Sequence, residues 1–253
     1  VELPEPFYWL EGQIAVDLPG TRAVFSTRSA GNLGLLTGDP GVPQNRAILA
    51  ERLGVAFAWR RQVHGNRVDL VAAPTDPDQP WSDADGVATR TRGVAPFVLA
   101  ADCLPIIISD GRSVAAVHAG WPGLAAGVIA HGVEAIAPVE AIAPVEAIGA
   151  SERHAAQATA SAGQLTAAIG PGAGGCCYEV GDELRERFAS YDAENGRNLD
   201  LKQIARTQLR AAGVSEIHDV GICTLCAEPG LLFSHRRDGA DTGRQAGFGW
   251  LTG

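Results

Sequence analysis

Residues 100–123 read AADCLPIIISDGRSVAAVHAGWPG, and the fold turns on how this stretch doubles back. Two apolar runs, Ile106–Ser109 and Val114–Val117, are joined across Asp110-Gly111, a pair that tolerates the positive φ angles of a tight hairpin turn. Cys103 opens the first run and His118 closes the second. Antiparallel pairing about that turn carries both residues to one sheet edge. A soft thiolate beside an imidazole suits either a zinc site or a Cys/His nucleophile pair.

Composition narrows the choices. The chain has 253 residues, 46% hydrophobic and 19% charged, which fits a globular protein of one large domain or two small ones. A net charge of −9 argues against a broad nucleic-acid surface, which needs a basic face. No apolar run approaches the roughly 18 residues of a membrane span. The opening VELPEPFYWLEG carries acids and prolines where a signal peptide carries a basic segment and an apolar core. The chain contains no Met, which is expected if the initiator is removed or if the sequence begins downstream of it. Five cysteines, an odd number without the spacing of a secreted scaffold, point to a reducing, cytoplasmic setting.

Outward from the hairpin, alternating apolar residues predict strands at Gln13–Asp17, Ala23–Thr27, Val55–Trp59, Val68–Ala72 and Phe97–Ala101. Further strands are expected at Leu165–Ile169, Glu216–Cys223 and Phe248–Leu251. Helices are expected at Val42 to Leu53 (Val42, Ile48, Leu49 and Leu53 to one side), Leu124 to Ile136, Val180 to Phe188 and Asp200 to Ala212. Arg28, just past a strand, is either an anion grip or a solvated turn residue. His64, in Val63-His64-Gly65 between two strands, is either a third metal ligand or a structural histidine. Asp83-Ala84-Asp85-Gly86 reads as an acidic turn whose side chains cap backbone N–H groups. His131 reads as a surface or satisfied histidine. From Glu134 to Ala150 the chain repeats EAI three times, and with the Ala/Ser-rich run to Gly163 this predicts a low-complexity insertion at about 137–163.

Gly170-Pro171-Gly172-Ala173-Gly174-Gly175 formally satisfies GxGxxG, but no second strand ending in an acid follows, so a dinucleotide site is discounted. The glycines would still let backbone N–H groups approach an anionic or sugar group. Cys176 and Cys177 read as small buried residues. Cys223-Thr224-Leu225-Cys226 is a CxxC without a second CxxC, half of a structural zinc knuckle, and is taken as structural. Arg236-Arg237 beside His235 is either an anion site or a salt-bridged turn.

Taken together these pieces resemble the YfiH family, long labelled polyphenol oxidase or laccase domain proteins. The resemblance is carried by Asn32-Leu33-Gly34, Gln62-Val63-His64-Gly65, Asp83-Ala84-Asp85-Gly86, Ala101-Asp102-Cys103-Leu104-Pro105 and Val117-His118-Ala119-Gly120-Trp121. It continues through Ile169-Gly170-Pro171, Cys177-Tyr178-Glu179-Val180-Gly181, Arg236-Arg237-Asp238-Gly239 and Thr242-Gly243-Arg244-Gln245-Ala246. It implies a single α/β (α+β) domain over 1–253, with mixed β-sheets flanked by helices in α/β/β/α layers. It also implies a zinc ion on His64, Cys103 and His118, with copper as the lesser alternative. The implied activity is purine nucleoside chemistry: phosphorolysis of adenosine, inosine and methylthioadenosine, and hydrolytic deamination of adenosine. Some members are described instead as editing a peptidoglycan precursor. Three positions depart from the family pattern: Pro122 stands where an arginine usually follows HAGW, the loop after Arg28 is short, and Gly172 replaces a cysteine.

A His₂Cys set with an open fourth position has the form of a catalytic zinc site, in which bound water reaches a pKa of about 7. Catalytic roles would then fall to His64, Cys103 and His118, with Asp102 as proton shuttle or ligand orienter. Arg28, Arg236 and Arg237 are the available cations for phosphate, with Gln62 as a further substrate contact. The expected partners are a small-molecule nucleoside and phosphate, with no nucleic acid or membrane. Three rivals remain. A copper oxidase must manage with six histidines, no Met and no His-x-His pair. A metal-free hydrolase would use Cys103 as nucleophile and His118 as base. In a non-catalytic scaffold the metal site would only staple loops.

Overall fold

The computed structural model describes residues 1–137 and 164–253, so all of the expected insertion but Ala137 lies outside the described residues. In chain order the first elements are β1 (Tyr8–Leu10), β2 (Gln13–Leu18), β3 (Thr21–Phe25), α1 (Val42–Leu53), β4 (Ala56–Ala58), β5 (Val68–Val71) and β6 (Gly86–Thr89). The centre holds β7 (Val94–Ala100), β8 (Leu104–Ser109), β9 (Val114–Ala119), α2 (Trp121–Ala125) and α3 (Val128–Ile136). There follow β10 (Thr166–Ile169), α4 (Asp182–Arg187), β11 (Glu194–Asn195), β12 (Asn198–Leu199), α5 (Leu201–Ala211), β13 (Glu216–Asp219), α6 (His235–Asp238) and β14 (Gln245–Leu251).

Two six-stranded mixed sheets carry the fold, in orders β1-β2-β3-β14-β7-β4 and β13-β10-β8-β9-β6-β5. The period of two in Ile106-Ile107-Ile108 explains how they stack. Ile107 faces the other sheet, among Ile14, Val16, Phe25 and Val98. Ile106 and Ile108 face the opposite way, onto Val128 and Ile129 of α3 and Ile204 and Leu209 of α5. The outer face of the first sheet, Phe57, Phe97 and Phe248, packs against Leu49 of α1. The layers therefore run α/β/β/α, as the resemblance implied. Each fully buried Ile contributes roughly 1.5–3 kcal/mol, so this strand alone is a large part of the core. The sheets approach closely where β14 reads Gly-Phe-Gly: a Cβ on Gly247 would meet Pro105 Cβ at 2.4 Å, and one on Gly249 would meet Ile107 Cγ2 at 2.9 Å.

The hairpin pairs Leu104 with Ala119 and Pro105 with His118, which brings Cys103 and His118 to one edge. Its turn is longer than a two-residue one. Asp110 to Ser113 span it, the Asp110 carboxylate accepts from the N–H groups of Arg112 and Ser113, and Gly111 takes φ +81°. The expected helix from Leu124 to Ile136 is two helices, because Gly127 at φ +81° breaks it. Pro122 lies in the first turn of α2, where no N–H donor is required. In α1 the buried stripe is Val42, Arg46 and Leu49, while Ile48 is exposed, so the stripe is rotated from the expected one and includes a charge.

Candidate metal centre

Three segments converge at the hairpin edge. Cys103 precedes β8, His118 lies on β9, and His64 comes from the segment between β4 and β5. Asp85, fully buried at the end of the acidic turn, ties them together. Its carboxylate accepts from the backbone N–H groups of Val63, His64 and Gly65, at 3.1, 2.9 and 2.6 Å. Its Oδ1 also lies 2.8 Å from His118 Nδ1, and its backbone oxygen accepts from the His118 N–H. The capping expected of this turn is present, and it reaches across the chain to fix both imidazoles. His64 takes φ +59°, an uncommon backbone state for a non-glycine residue, held by those N–H bonds.

With Nδ1 engaged by Asp85, His118 is left with Nε2 for the cavity side, the usual arrangement of a carboxylate-oriented metal histidine. Cys103 Sγ lies 3.9 Å from His64 Nε2, the two imidazole rings are 4.9 Å apart, and the three donor atoms lie within 4.8 Å of one another. Gly120 closes the cradle, since a Cβ there would stand 2.9 Å from Cys103 Sγ and 3.1 Å from His64 Cδ2. Burial opposes ionisation of the Cys103 thiol, but His118 and then His64 outweigh it and bring its pKa down to about 6. Burial likewise disfavours the His118 imidazolium, yet the Cys103 thiolate and Asp85 raise it to about 9. Without metal the two form a thiolate–imidazolium pair. Two imidazole nitrogens and a soft thiolate fit a borderline-soft divalent ion such as zinc, with a corner left toward the cavity.

The centre lies in a cavity of about 430 Å³, within the ordinary range for small-molecule sites. Arg46 is the residue that sequence reasoning missed there. Its Nε donates to Leu33 O, its guanidinium stacks 4.8 Å over both Trp59 and Phe97, and its two terminal nitrogens are buried without a partner among the described residues. Burial lowers its pKa to about 10, which leaves it cationic at neutral pH. The indole N–H groups of Trp59 and Trp81, also on the cavity wall, are unpartnered too. The available signal was an arginine at i+4 within an apolar helical stripe.

The structure divides the other expected site residues. Arg236 does line the cavity: its guanidinium lies 4.9 Å over the Tyr178 ring, and it donates to Glu179 O. Arg28 does not; it is bound to Asp238 and Leu232 O and stacks on Phe233. Arg237 is spent on Asp238 and on the carbonyls of Thr224, Ala227 and Leu232. Gln62 lines the cavity, but its amide clamps the backbone of Leu99 in both directions at 2.8 Å. Asp102 accepts from the Thr224 hydroxyl on one oxygen and the Arg236 N–H on the other, so both carboxylate oxygens are already engaged. His131 is satisfied by Asn66 O. The glycines after β10 serve packing instead of anion approach: Gly170 abuts the Phe25 ring and Gly172 abuts Leu104.

A family model described as multi-copper polyphenol oxidoreductase laccase matches residues 22–252. The chain belongs to that family, the one that includes YfiH. A purine nucleoside phosphorylase of Streptomyces coelicolor is 38% identical over 234 residues, covering 87% of each chain. One from Pseudomonas aeruginosa is 35% identical over 254 residues, covering 91% of this chain and 93% of that one. The crystal structure of Bacillus licheniformis YfiH, a hypothetical protein, superposes with a TM-score of 0.80 at 27% identity, covering 98% of this chain and all of that one. Among the described residues no helix is long and apolar enough to cross a membrane.

Proposed function

We propose that the protein is a zinc-dependent purine nucleoside enzyme that carries out phosphorolysis at C1′ and, as a separate reaction in which water adds at C6 and ammonia leaves, deamination of adenosine. The observation that carries this reading is the donor set His64, Cys103 and His118, oriented by Asp85 in a nucleoside-sized cavity that Arg46 and Arg236 also line. The relatives named purine nucleoside phosphorylase support the substrate class. When bound, zinc would supply Lewis acidity at its vacant corner.

The chain's own residues do the rest. The Arg46 guanidinium lends positive charge from just behind the cavity wall, and Arg236 supplies a second guanidinium on the wall itself, a setting that suits an anion such as phosphate. Trp81 and Tyr178, both on the cavity lining, offer aromatic surface to a flat base. In phosphorolysis a phosphate oxygen bonds to C1′ as the C1′–N9 bond breaks, and the purine takes up a proton. The charges of Arg46 and Arg236 draw in the anion, and the buried wall excludes competing water. Zinc is favoured over copper because the chain has no Met for an axial ligand and too few histidines for a copper cluster.

One observation favours a second reading. Cys103, His118 and Asp85 line up as thiol, imidazole and carboxylate, the order of a metal-free cysteine nucleophile. His64 separates the two, because only the metal reading needs it. The test is incubation of zinc-loaded protein with adenosine, with and without phosphate, products being read by mass. Adenine with ribose 1-phosphate, or inosine without phosphate, is the expected result. Turnover that survives chelation and the His64→Ala change would select the cysteine nucleophile. No nucleoside product, or copper-dependent oxidation of a phenol, would overturn the proposal.

A further inference from the structure

Away from the cavity, the other four cysteines gather in one place. Strands β10 and β13 are parallel neighbours, pairing Thr166 with Glu216 and Ile169 with Asp219, so the loops that follow them leave the same end of the sheet. Those loops stay zipped. Gly172 N donates to Ile222 O, Thr224 N donates to Gly172 O, and Gly172 bridges Cys223. Cys176-Cys177 on one loop therefore face Cys223 and Cys226 on the other. The four sulfurs lie within 4.8 Å of one another. Cys176 and Cys177 are thus not the small buried residues expected from sequence; Cys176 is exposed and Cys177 half-buried. They bring two further sulfurs to the lone CxxC.

We infer that Cys176, Cys177, Cys223 and Cys226 form a second, structural zinc site, independent of the His64/Cys103/His118 centre. Tetrahedral zinc with bonds of about 2.3 Å sets sulfurs about 3.8 Å apart. Here Cys226 Sγ lies 2.7 Å from Cys177 Sγ and 3.3 Å from Cys176 Sγ, inside a cluster whose widest separation stays below 4.8 Å. Side-chain adjustments of about 1 Å reach the required spacing. The Gly174 N–H donates to Cys223 Sγ at 3.3 Å, and such a donor stabilises a metal-bound thiolate. Gly174 lets the loops approach, since a Cβ there would crowd Cys223 and Cys176. Arg237 closes the base of the knuckle through the carbonyls of Thr224 and Ala227, placing a cation beside what would be four thiolates around a divalent ion. A lone Cys177–Cys226 disulfide would leave Cys176, and Cys223 with its Gly174 N–H donor, outside the bond.

The closed set of four protein ligands is that of a structural site. On binding, the thiol protons are released to solvent. The site reaches the cavity through sequence neighbours. Tyr178, next to Cys177, forms part of the cavity wall, and Thr224, next to Cys223, holds Asp102.

Metal content of the purified protein tests this directly. Two zinc ions per chain are expected in the native protein and one in a His64→Ala/His118→Ala variant. One is also expected in a Cys223→Ser/Cys226→Ser variant. If that variant fails to fold, the milder Cys176→Ser change and cobalt substitution of the native chain still decide. The His64→Ala/His118→Ala variant loaded with cobalt should show the strong thiolate-to-metal absorption of a tetrathiolate, weakened by Cys176→Ser. A zinc count that ignores the four cysteines overturns the inference. So does a Cys177–Cys226 disulfide found by mass in protein prepared under reducing conditions. Because the readouts are metal count and absorption, they stand whether or not any nucleoside is turned over.

Discussion

The two cysteine-bearing clusters of this protein are built by opposite means. At the hairpin edge a single buried carboxylate, Asp85, orients two imidazoles through side-chain and backbone bonds, and three donors leave room beside a cavity. At the ends of β10 and β13 four sulfurs close on one another, steadied by a backbone N–H group, and no corner is left for a substrate. The first arrangement leaves one coordination position free, as chemistry at the ion requires. The second fills every position and can only hold loops together. Ligand count and the neighbouring space, rather than the presence of cysteine, separate a reactive site from a staple.

That contrast can be broken most severely by removing a ligand. His64→Ala should lower nucleoside turnover by about 10³-fold, the several kcal/mol that a Lewis acid supplies, while leaving the thermal midpoint almost unchanged. Cys223→Ser should do the reverse, with a large drop in midpoint and a modest loss of turnover; steady-state rates and thermal scans on both variants check this. Asp85→Asn comes next. Burial opposes ionisation of Asp85, but His118 and the N–H groups of Gly65 and Val63 outweigh it and keep the carboxylate charged. Losing that orienter should weaken zinc at the hairpin centre by about 10–100-fold, read by chelator competition, with the four-sulfur site unaffected.

Arg46→Met probes the cavity itself. Loss of its charge predicts a rise of about 10–100-fold in the KM for phosphate, together with a lower thermal midpoint, because Leu33 O loses its buried donor and Trp59 and Phe97 lose the stacked guanidinium. An unchanged KM would remove Arg46 from the anion site. The smallest expected effect is a difference in pH profile between thiols in metal-free protein. The Cys103 thiolate, held down to about pH 6, should alkylate at a near-constant rate from pH 7 to 8 and slow below pH 6. Cys226, whose thiol is pushed up by the neighbouring sulfurs of Cys177 and Cys176, should react only as the solution becomes alkaline. Mass mapping of alkylated peptides against pH distinguishes them.

The same two regions differ in how far the sequence announced them. Cys103 and His118 could be brought together from the hairpin alone, because a period of two and a turn at Asp110-Gly111 fix which ends meet. His64 was a reasonable third member, but its loop is positioned by Asp85, and nothing local says that a turn aspartate reaches across to another segment. The four-sulfur cluster was half visible as a CxxC. Its other half was hidden because the pairing depends on β10 and β13 being parallel neighbours, a long-range fact. Arg46 was overlooked because an arginine in an amphipathic helix is normally outside, and only the rotation of the α1 stripe places it inside. Arg28 and Arg237 looked like anion ligands, but local sequence does not reveal how many carbonyls and carboxylates already claim a guanidinium.

Asp85 grips the His64 segment through main-chain N–H groups alone, so it is blind to the identity of the side chains it holds. Val63 stands 51% exposed and carries no positional duty. Its neighbour's imidazole stays anchored whichever residue other than proline, which lacks the N–H that Asp85 accepts, is put there. The rim beside the centre can therefore change its chemistry one residue from the ligand without moving the ligand itself.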